Sequence, residues 1–276
     1  MTKLLSANFL RLKKSALFWG TLALSFGFGA FMCVTRFREH LDYGFAVSLD
    51  SVFFGFAMVA GIVTAPFIPL FFGTEHSDGA IRSKLTVGHS RIAVYFANLI
   101  TSFAAAVAFF AAYLLACAAV GIPLIGPLDL PASATAAALG GSLVMTAAFC
   151  AIFTCATMNC SKKAVSAVVC LLGVFTLLLA AVYLNGRLDA PEFITGYEMS
   201  INGQVVNAKP EPNPAYLTGM KREVCQFLYD LLPTGQSIQY SNVNFTDPVR
   251  LIELAAAVCA AFTGAGAALF WRKDLK

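Results

Sequence analysis

The stretch Ala164-Val-Ser-Ala-Val-Val-Cys-Leu-Leu-Gly-Val-Phe-Thr-Leu-Leu-Leu-Ala-Ala-Val-Tyr-Leu-Asn-Gly186 carries no charge from end to end and follows directly on Lys162-Lys163. A helix needs roughly 20 apolar residues to cross the hydrocarbon core of a bilayer. This one segment is long enough, and the basic pair in front of it fits the flank of a membrane span. Five more charge-free runs of similar or greater length recur at 15–35, 51–74, 92–128, 130–161 and 254–271. The third and fourth are too long for one span each. Gly121-Ile122-Pro123 and Gly126-Pro127 are expected to break the third, because proline lacks a backbone donor and glycine favours turns. The spans are therefore read as 16–35, 51–73, 92–120, 134–158, 164–184 and 250–271.

Composition agrees. Of the 276 residues 58% are hydrophobic and 12% charged, against about 45–50% and about 25% in an ordinary soluble domain. So few charges leave too little polar surface for a water-soluble globule. The runs are continuously apolar and do not alternate, which argues for helices and against a barrel. The fold class expected is an all-α integral membrane protein with six transmembrane helices, an N-terminal interfacial amphipathic helix at residues 1–14, and a large extracellular loop between the fifth and sixth spans at 185–249. Spans one to five occupy 15–184, and the last span with a basic tail occupies 250–276. A net charge of +4 does not suggest a nucleic-acid partner.

Orientation follows from Lys and Arg. An even number of spans puts the N-terminus, second loop, fourth loop and C-terminus on one side. That side holds Lys3, Arg11, Lys13, Lys14, Arg82, Lys84, Arg91, Lys162, Lys163, Arg272, Lys273 and Lys276, and only Glu75, Asp78 and Asp274 among the acids. The positive-inside rule makes it cytoplasmic. Arg36 and Arg38 in the first loop vote the other way, but lie close enough to Glu39 and Asp42 to pair. The first span is read as uncleaved, since no small-x-small site precedes Arg36. Before it, Leu4, Leu5, Phe9, Leu10 and Leu12 alternate with Lys3, Asn8, Arg11, Lys13 and Lys14, a basic amphipathic segment suited to the inner interface; a plain topology anchor fits the same residues.

Two connecting segments can carry function. The second loop, 74–91, is short, polar and bracketed by spans. Thr74 or Ser77 could cap a short helix in it, with Ile81, Leu85 and Val87 as an apolar patch. The fifth loop contains Tyr216, Leu217, Met220, Val224, Phe227, Leu228 and Leu231 at three- and four-residue steps, with Lys221, Arg222, Glu223 and Asp230 on the other face. This predicts an amphipathic helix at about 215–231, ended by Pro233-Thr-Gly-Gln. Glu198-Met-Ser-Ile-Asn-Gly-Gln-Val-Val reads as a hairpin turning at Asn202-Gly203. The helix can serve as an external cap, as a receptor for an extracellular ligand, or as a segment lying on the outer leaflet.

Other chemistry finds little support. The eight cysteines lie mostly inside apolar runs, where free thiols behave as small hydrophobes; a Cys33–Cys225 bridge is conceivable, with nothing in the spacing to favour it. His40, His76 and His89 fall on both membrane faces, so they cannot share a metal. No G-x-x-x-x-G-K-[ST] cradle for phosphates occurs. The spans hold almost no ionisable residue apart from Glu253 near one end, which argues against a proton-driven carrier. Gly140-Gly141 and Gly264-Ala-Gly266 allow close helix approach.

The basic amphipathic start, the segment from Glu75 through Asp78-Gly79-Ala80-Ile81 to Ser90-Arg91, and the terminal Phe270-Trp271-Arg272-Lys273-Asp274-Leu275 together resemble the permease subunit of ABC-2 type ATP-binding cassette transporters, in which an elbow helix precedes the first span. Asn98 stands near where the family often has a lysine at the start of the third span. The resemblance implies that Glu75, Asp78, Gly79, Arg82 and Arg91 form a coupling surface for a separate cytoplasmic ABC ATPase. It also implies that ATP and Mg bind in that partner and not in this chain, that a second permease chain completes the path, and that the cargo is an amphipathic peptide, drug or lipid. It further implies that the helix of the fifth loop caps the path. Two other readings stay open: an antimicrobial-peptide sensing or immunity module using the fifth loop, and a channel or scaffold without an ATPase.

Overall fold

The computed structural model describes residues 1–44, 46–77, 79–194, 199–201, 204–206, 211–245 and 247–273. Its helices are α1 (Thr2–Lys14), α2 (Ala16–Tyr43), α3 (Asp50–Phe53), α4 (Phe56–Ser77), α5 (Ala80–Thr86), α6 (Arg91–Ala116), α7 (Ile122–Ile125), α8 (Ala132–Asn159), α9 (Lys163–Leu188), α10 (Gly219–Leu231), α11 (Pro233–Ser241) and α12 (Pro248–Arg272). Among the described residues, six helical segments are long and apolar enough to cross a membrane: Ala16–Tyr43, Asp50–Glu75, Arg91–Ile125, Ala132–Asn159, Lys163–Leu188 and Pro248–Arg272. The chain is an all-α, multi-pass membrane protein.

Helices α4, α6 and α8 form the centre. Phe56, Phe67, Phe109, Phe149 and Phe153 are all buried there, and Phe67 meets Phe109 edge-on with ring centroids 4.9 Å apart. Offset and edge-to-face aromatic pairs add to plain area burial, which matters in a bilayer because lipid tails give helices no hydrophobic reason to associate. Helices α2, α9 and α12 lie outside, with Leu24, Phe31, Leu172, Leu179 and Leu269 exposed. Such rows of exposed apolar side chains are what lipid-facing helices present.

Two of the glycines singled out as close-approach positions act inside the chain. A Cβ on Gly141 would sit 2.2 Å from the Tyr240 hydroxyl, and one on Gly266 would sit 2.1 Å from the Tyr95 hydroxyl. Gly140 and Gly264 have open space instead.

Three features differ from the sequence reading. First, α2 runs on past Thr35 to Tyr43 and stops where Gly44 takes φ 68° and donates its N–H to the His40 carbonyl. Arg36 pairs with Glu39 at 2.8 Å along this extension, so the charges that mark the end of the apolar run do not end the helix. At 1.5 Å per residue it reaches about 12 Å further than the apolar run requires. Second, Gly121-Ile122-Pro123 does not break the third span. The helix widens into a π turn at Cys117–Gly121 and continues as α7 to Ile125, ending at Gly126 with φ 117°. The extra residue of a π turn lets the chain absorb a proline that a regular turn would reject. A Cβ on Gly121 would meet Cys33 Sγ at 3.0 Å, so Cys33 belongs to the bundle, and both it and Cys225 are free thiols. Third, Pro233 ends one helix and starts another, α11, described below.

The fifth loop also holds two small antiparallel pairs, β1 (Phe193–Ile194) with β4 (Glu211–Pro212) and β2 (Met199–Ile201) with β3 (Gln204–Val206). The expected hairpin is present as β2–β3; its turn, Asn202-Gly203, lies outside the described residues.

Candidate functional sites on the two faces

Helix α1 and the end of α12 lie on one face, where Leu4 and Phe270 share a buried cluster. Ser15 separates α1 from α2 in an extended conformation and caps α2 through its hydroxyl, which accepts the Phe18 N–H. The bend lets α1 fold along the bundle, burying Leu4, Asn8 and Leu12, one residue every helical turn. The neighbouring Trp19 indole donates to the Lys13 carbonyl at 2.8 Å.

Beneath α1 sits a buried polar cluster centred on Glu75, whose side chain is fully excluded from solvent. Its Oε1 takes Arg11 Nη1 at 2.5 Å and Lys84 Nζ at 2.7 Å. Its Oε2 accepts from Asn98 Nδ2 at 3.1 Å. Asn8 closes the ring: its amide donates to Asn98 Oδ1 at 2.8 Å and its oxygen accepts from Lys84 Nζ at 3.3 Å. Arg11 also lies over the Phe71 ring, 4.3 Å from its centroid. One carboxylate thus joins α1, α4, α5 and α6. Lys84 reaches the carboxylate from α5, while Asn98 supplies a neutral donor from α6.

Helix α5 begins at Gly79, which has φ 67°, a conformation that costs glycine little. Gly79 therefore takes the capping position expected of Thr74 or Ser77, and both of those belong to α4. Ile81 is buried with Leu4, Tyr95 and Phe270, and Leu85 packs beside them; Val87 points away and is 79% exposed.

The five residues expected to couple to an ATPase are placed very differently. Glu75 is buried. Arg91 donates to the Trp271 carbonyl at 3.0 Å and to the Lys273 carbonyl, capping the end of α12. Arg82 is exposed, and Gly79 has open space where a side chain would stand. Asp78 lies outside the described residues. Lys273 caps α8 in turn, donating to the carbonyls of Met158 and Cys160 at 3.1 Å each. Cations at helix C-termini satisfy unpaired carbonyls and complement the helix dipole. Burial holds the Lys273 amine below the ordinary lysine range. Basic residues clustered on this face therefore also knit its helix ends together.

On the opposite face, α10 directs its last turn inward, while Lys221, Arg222 and Glu223 are exposed. Tyr229 and Asp230 are buried, whereas Met220, Val224, Phe227 and Leu228 are exposed at 78%, 51%, 45% and 42%. Leu217 is buried, and Tyr216 and Leu231 are half-buried. The apolar stripe is thus not the face that packs on the bundle, and Asp230 is not on the solvent side. Asp230 accepts from Gln226 at 2.8 Å and Gln239 at 3.2 Å and pairs with Arg250 at 3.3 Å.

Helix α11 is the element that sequence reasoning missed. Its Pro233 fits the first helical position. Thr234, Gln236, Ser237, Gln239 and Tyr240 are polar yet buried between α4, α8 and α9. Thr234 donates to the Leu177 carbonyl at 2.8 Å, and Gln236 donates to the Asp230 and Leu251 carbonyls at 2.7 and 3.1 Å. A Cβ on Gly235 would lie 2.0 Å from the Tyr229 carbonyl. Hydropathy does not mark such a helix, because Thr234 and Gln236 are buried through donors that find carbonyls, while only Ile238 and Tyr240 join apolar clusters.

A cavity of about 190 Å³ opens above α11, walled by Asn185, Asp189, Arg222, Gln226, Gln239 and Asn244, among others. Tyr229 donates to Asn185 Oδ1 at 2.7 Å in its floor. Burial pushes the Tyr229 hydroxyl above its ordinary range, with Asp189 and Asp230 adding to the effect, so it stays a donor. Compared with known proteins, the chain matches no family model and no curated sequence.

Proposed function

We propose that this chain is the transmembrane permease subunit of an ATP-binding cassette exporter. A separate ATPase subunit drives it, it works as a pair of permease chains, and it moves an amphipathic peptide, drug or lipid. It resides in a bacterial inner membrane with both termini in the cytoplasm, an orientation supported by the basic residues gathered on the face that holds both chain ends.

The observation that carries this reading is the Glu75 cluster. It makes α5, the short helix between the second and third spans, mechanically continuous with α1, α4 and α6 through three ion-pair or hydrogen-bond partners. A protein pressing on the exposed side of α5, where Arg82 stands, moves these elements as one body. Glu75 then acts as an internal clamp and Arg82 as a surface contact; Arg91 ties the third span to the sixth. Empty space between spans is not required, because the path forms between two permease chains.

The test is a mild-detergent pull-down of the tagged chain from its native cells, read for a stoichiometric P-loop ATPase. Recovery of one, lost in Arg82→Glu while the chain stays inserted, supports the reading. Intact chain recovered without any ATPase overturns it.

A second reading has its own observation. The polar cavity opposite the chain ends, with Arg222 and Asp189 in its wall, suits a sensing or immunity module that captures an extracellular peptide. Peptide binding lost in Arg222→Ala, with no ATPase partner recovered, favours it.

A further inference from the structure

Where α1 bends into α2, a cavity of about 480 Å³ is lined by Arg11, Lys14, Ser15, Leu17, Leu70, Phe71, Thr74 and Lys163. Three cations and two hydroxyls lie toward the chain-end face, and three apolar side chains continue along the spans. The cations come from two separate elements, α1 and α9. Lys163 is held in place because its stem packs on Gly73, where a Cβ would approach Lys163 Cγ to 2.9 Å. It is also the first residue of the 26-residue α9, whose N-terminal end adds partial positive charge.

The site is short of negative charge. Glu75 is shared by Arg11 and Lys84, and among the described residues neither Lys14 nor Lys163 has an ion-pair partner. Arg11 Nε is buried with no acceptor. One carboxylate thus faces two cations, with two further lysines uncompensated beside them.

We infer that this cavity binds the phosphate of an anionic phospholipid, with the head group held by Lys14, Lys163, Arg11 and Ser15 and an acyl chain running along Leu17, Leu70 and Phe71. The occupant is a lipid and not a soluble anion for two reasons. The cavity lies where the first and fifth spans begin, at the depth of head groups, and three of its eight lining residues are apolar. The inference rests on the membrane placement of the chain and is independent of whether an ATPase partners it.

The experiment is native mass spectrometry of the delipidated chain in detergent, titrated with phosphatidylglycerol, phosphatidylcholine or glycerol 1-phosphate. Phosphatidylglycerol should bind first and tightest, at one molecule per chain. Each lysine near an anionic lipid is worth about fivefold, so Lys14→Gln/Lys163→Gln should weaken it by roughly thirtyfold and each single substitution by about fivefold. Lys3→Gln/Lys13→Gln, an equal loss of charge at exposed positions outside the cavity, should change it little. Equal binding of phosphatidylcholine, an equal loss in the two double variants, or unchanged binding in Lys14→Gln/Lys163→Gln overturns the site. Equal binding of glycerol 1-phosphate overturns the lipid as its occupant.

Discussion

The Lys84 ammonium lies 2.7 Å from Glu75 Oε1, nine residues away in the chain and across the left-handed turn at Gly79. The same oxygen takes Arg11. A salt bridge on a protein surface contributes little, but Glu75 is fully buried and Lys84 mostly so. Removing one member of a buried pair leaves the others uncompensated and costs about 3–5 kcal/mol. Glu75→Ala should therefore lower thermal stability in detergent by that order, discounted because Arg11 is about a third exposed. Lys84→Met, which leaves Arg11 to neutralise the carboxylate, should cost less. A Glu75→Ala protein as stable as the parent would remove the clamp from the account of this face.

Adjacent glycines give a sharper contrast. Gly141→Ala drives a methyl group into Tyr240, an overpacking that typically costs 1–3 kcal/mol, roughly. Gly140→Ala meets nothing and should be neutral or stabilising by up to about 1 kcal/mol, because alanine is the better helix former. Truncation in Gly141→Ala/Tyr240→Ala should restore part of the loss relative to Tyr240→Ala alone. Thermal melts of the four variants check the series.

Arg91→Ala should fray the end of α12, since the Trp271 and Lys273 carbonyls lose their donor. The loss expected is about 1 kcal/mol, read as faster hydrogen exchange in the last turn of α12 with little change at α8, whose end is capped by Lys273.

The exposed stripe on α10 makes the opposite prediction. Met220→Ser and Phe227→Ser remove large apolar side chains that touch little of the chain, so each should stay within about 0.5 kcal/mol of the parent. A larger loss, measured in detergent, places that stripe against a second copy.

What could be read from sequence follows from what lipid demands. Spans such as α9 announce themselves because the bilayer excludes charge over a fixed length. The polarity of α1 and the hairpin strands β2 and β3 were legible from periodicity and turn chemistry. Signals failed where polar groups are satisfied inside the protein. Glu75 reads as a surface residue because nothing local says that Arg11, 64 positions earlier, lies on it. Periodicity located α10 but could not say which face turns inward, since its apolar stripe satisfies a helix-period count whichever way the helix turns. The polar run Thr234–Tyr240 reads as loop for the same reason.

That run has a consequence for how the chain is made. With both chain ends in the cytoplasm, as proposed, this segment of Thr, Gly, Gln and Ser, too polar for the translocon to leave in lipid, crosses the bilayer with the rest of the fifth loop. It can take its place only by returning between α4, α8 and α9 once those spans stand together, because the carbonyl of Leu177 and the backbone of Leu251 supply its partners. The last of these lies in α12, which is synthesised later. Seating of α11 is therefore a closing step of biogenesis. A chain truncated before α12 should insert five spans and still leave this helix unanchored, open to proteases from the far side of the membrane.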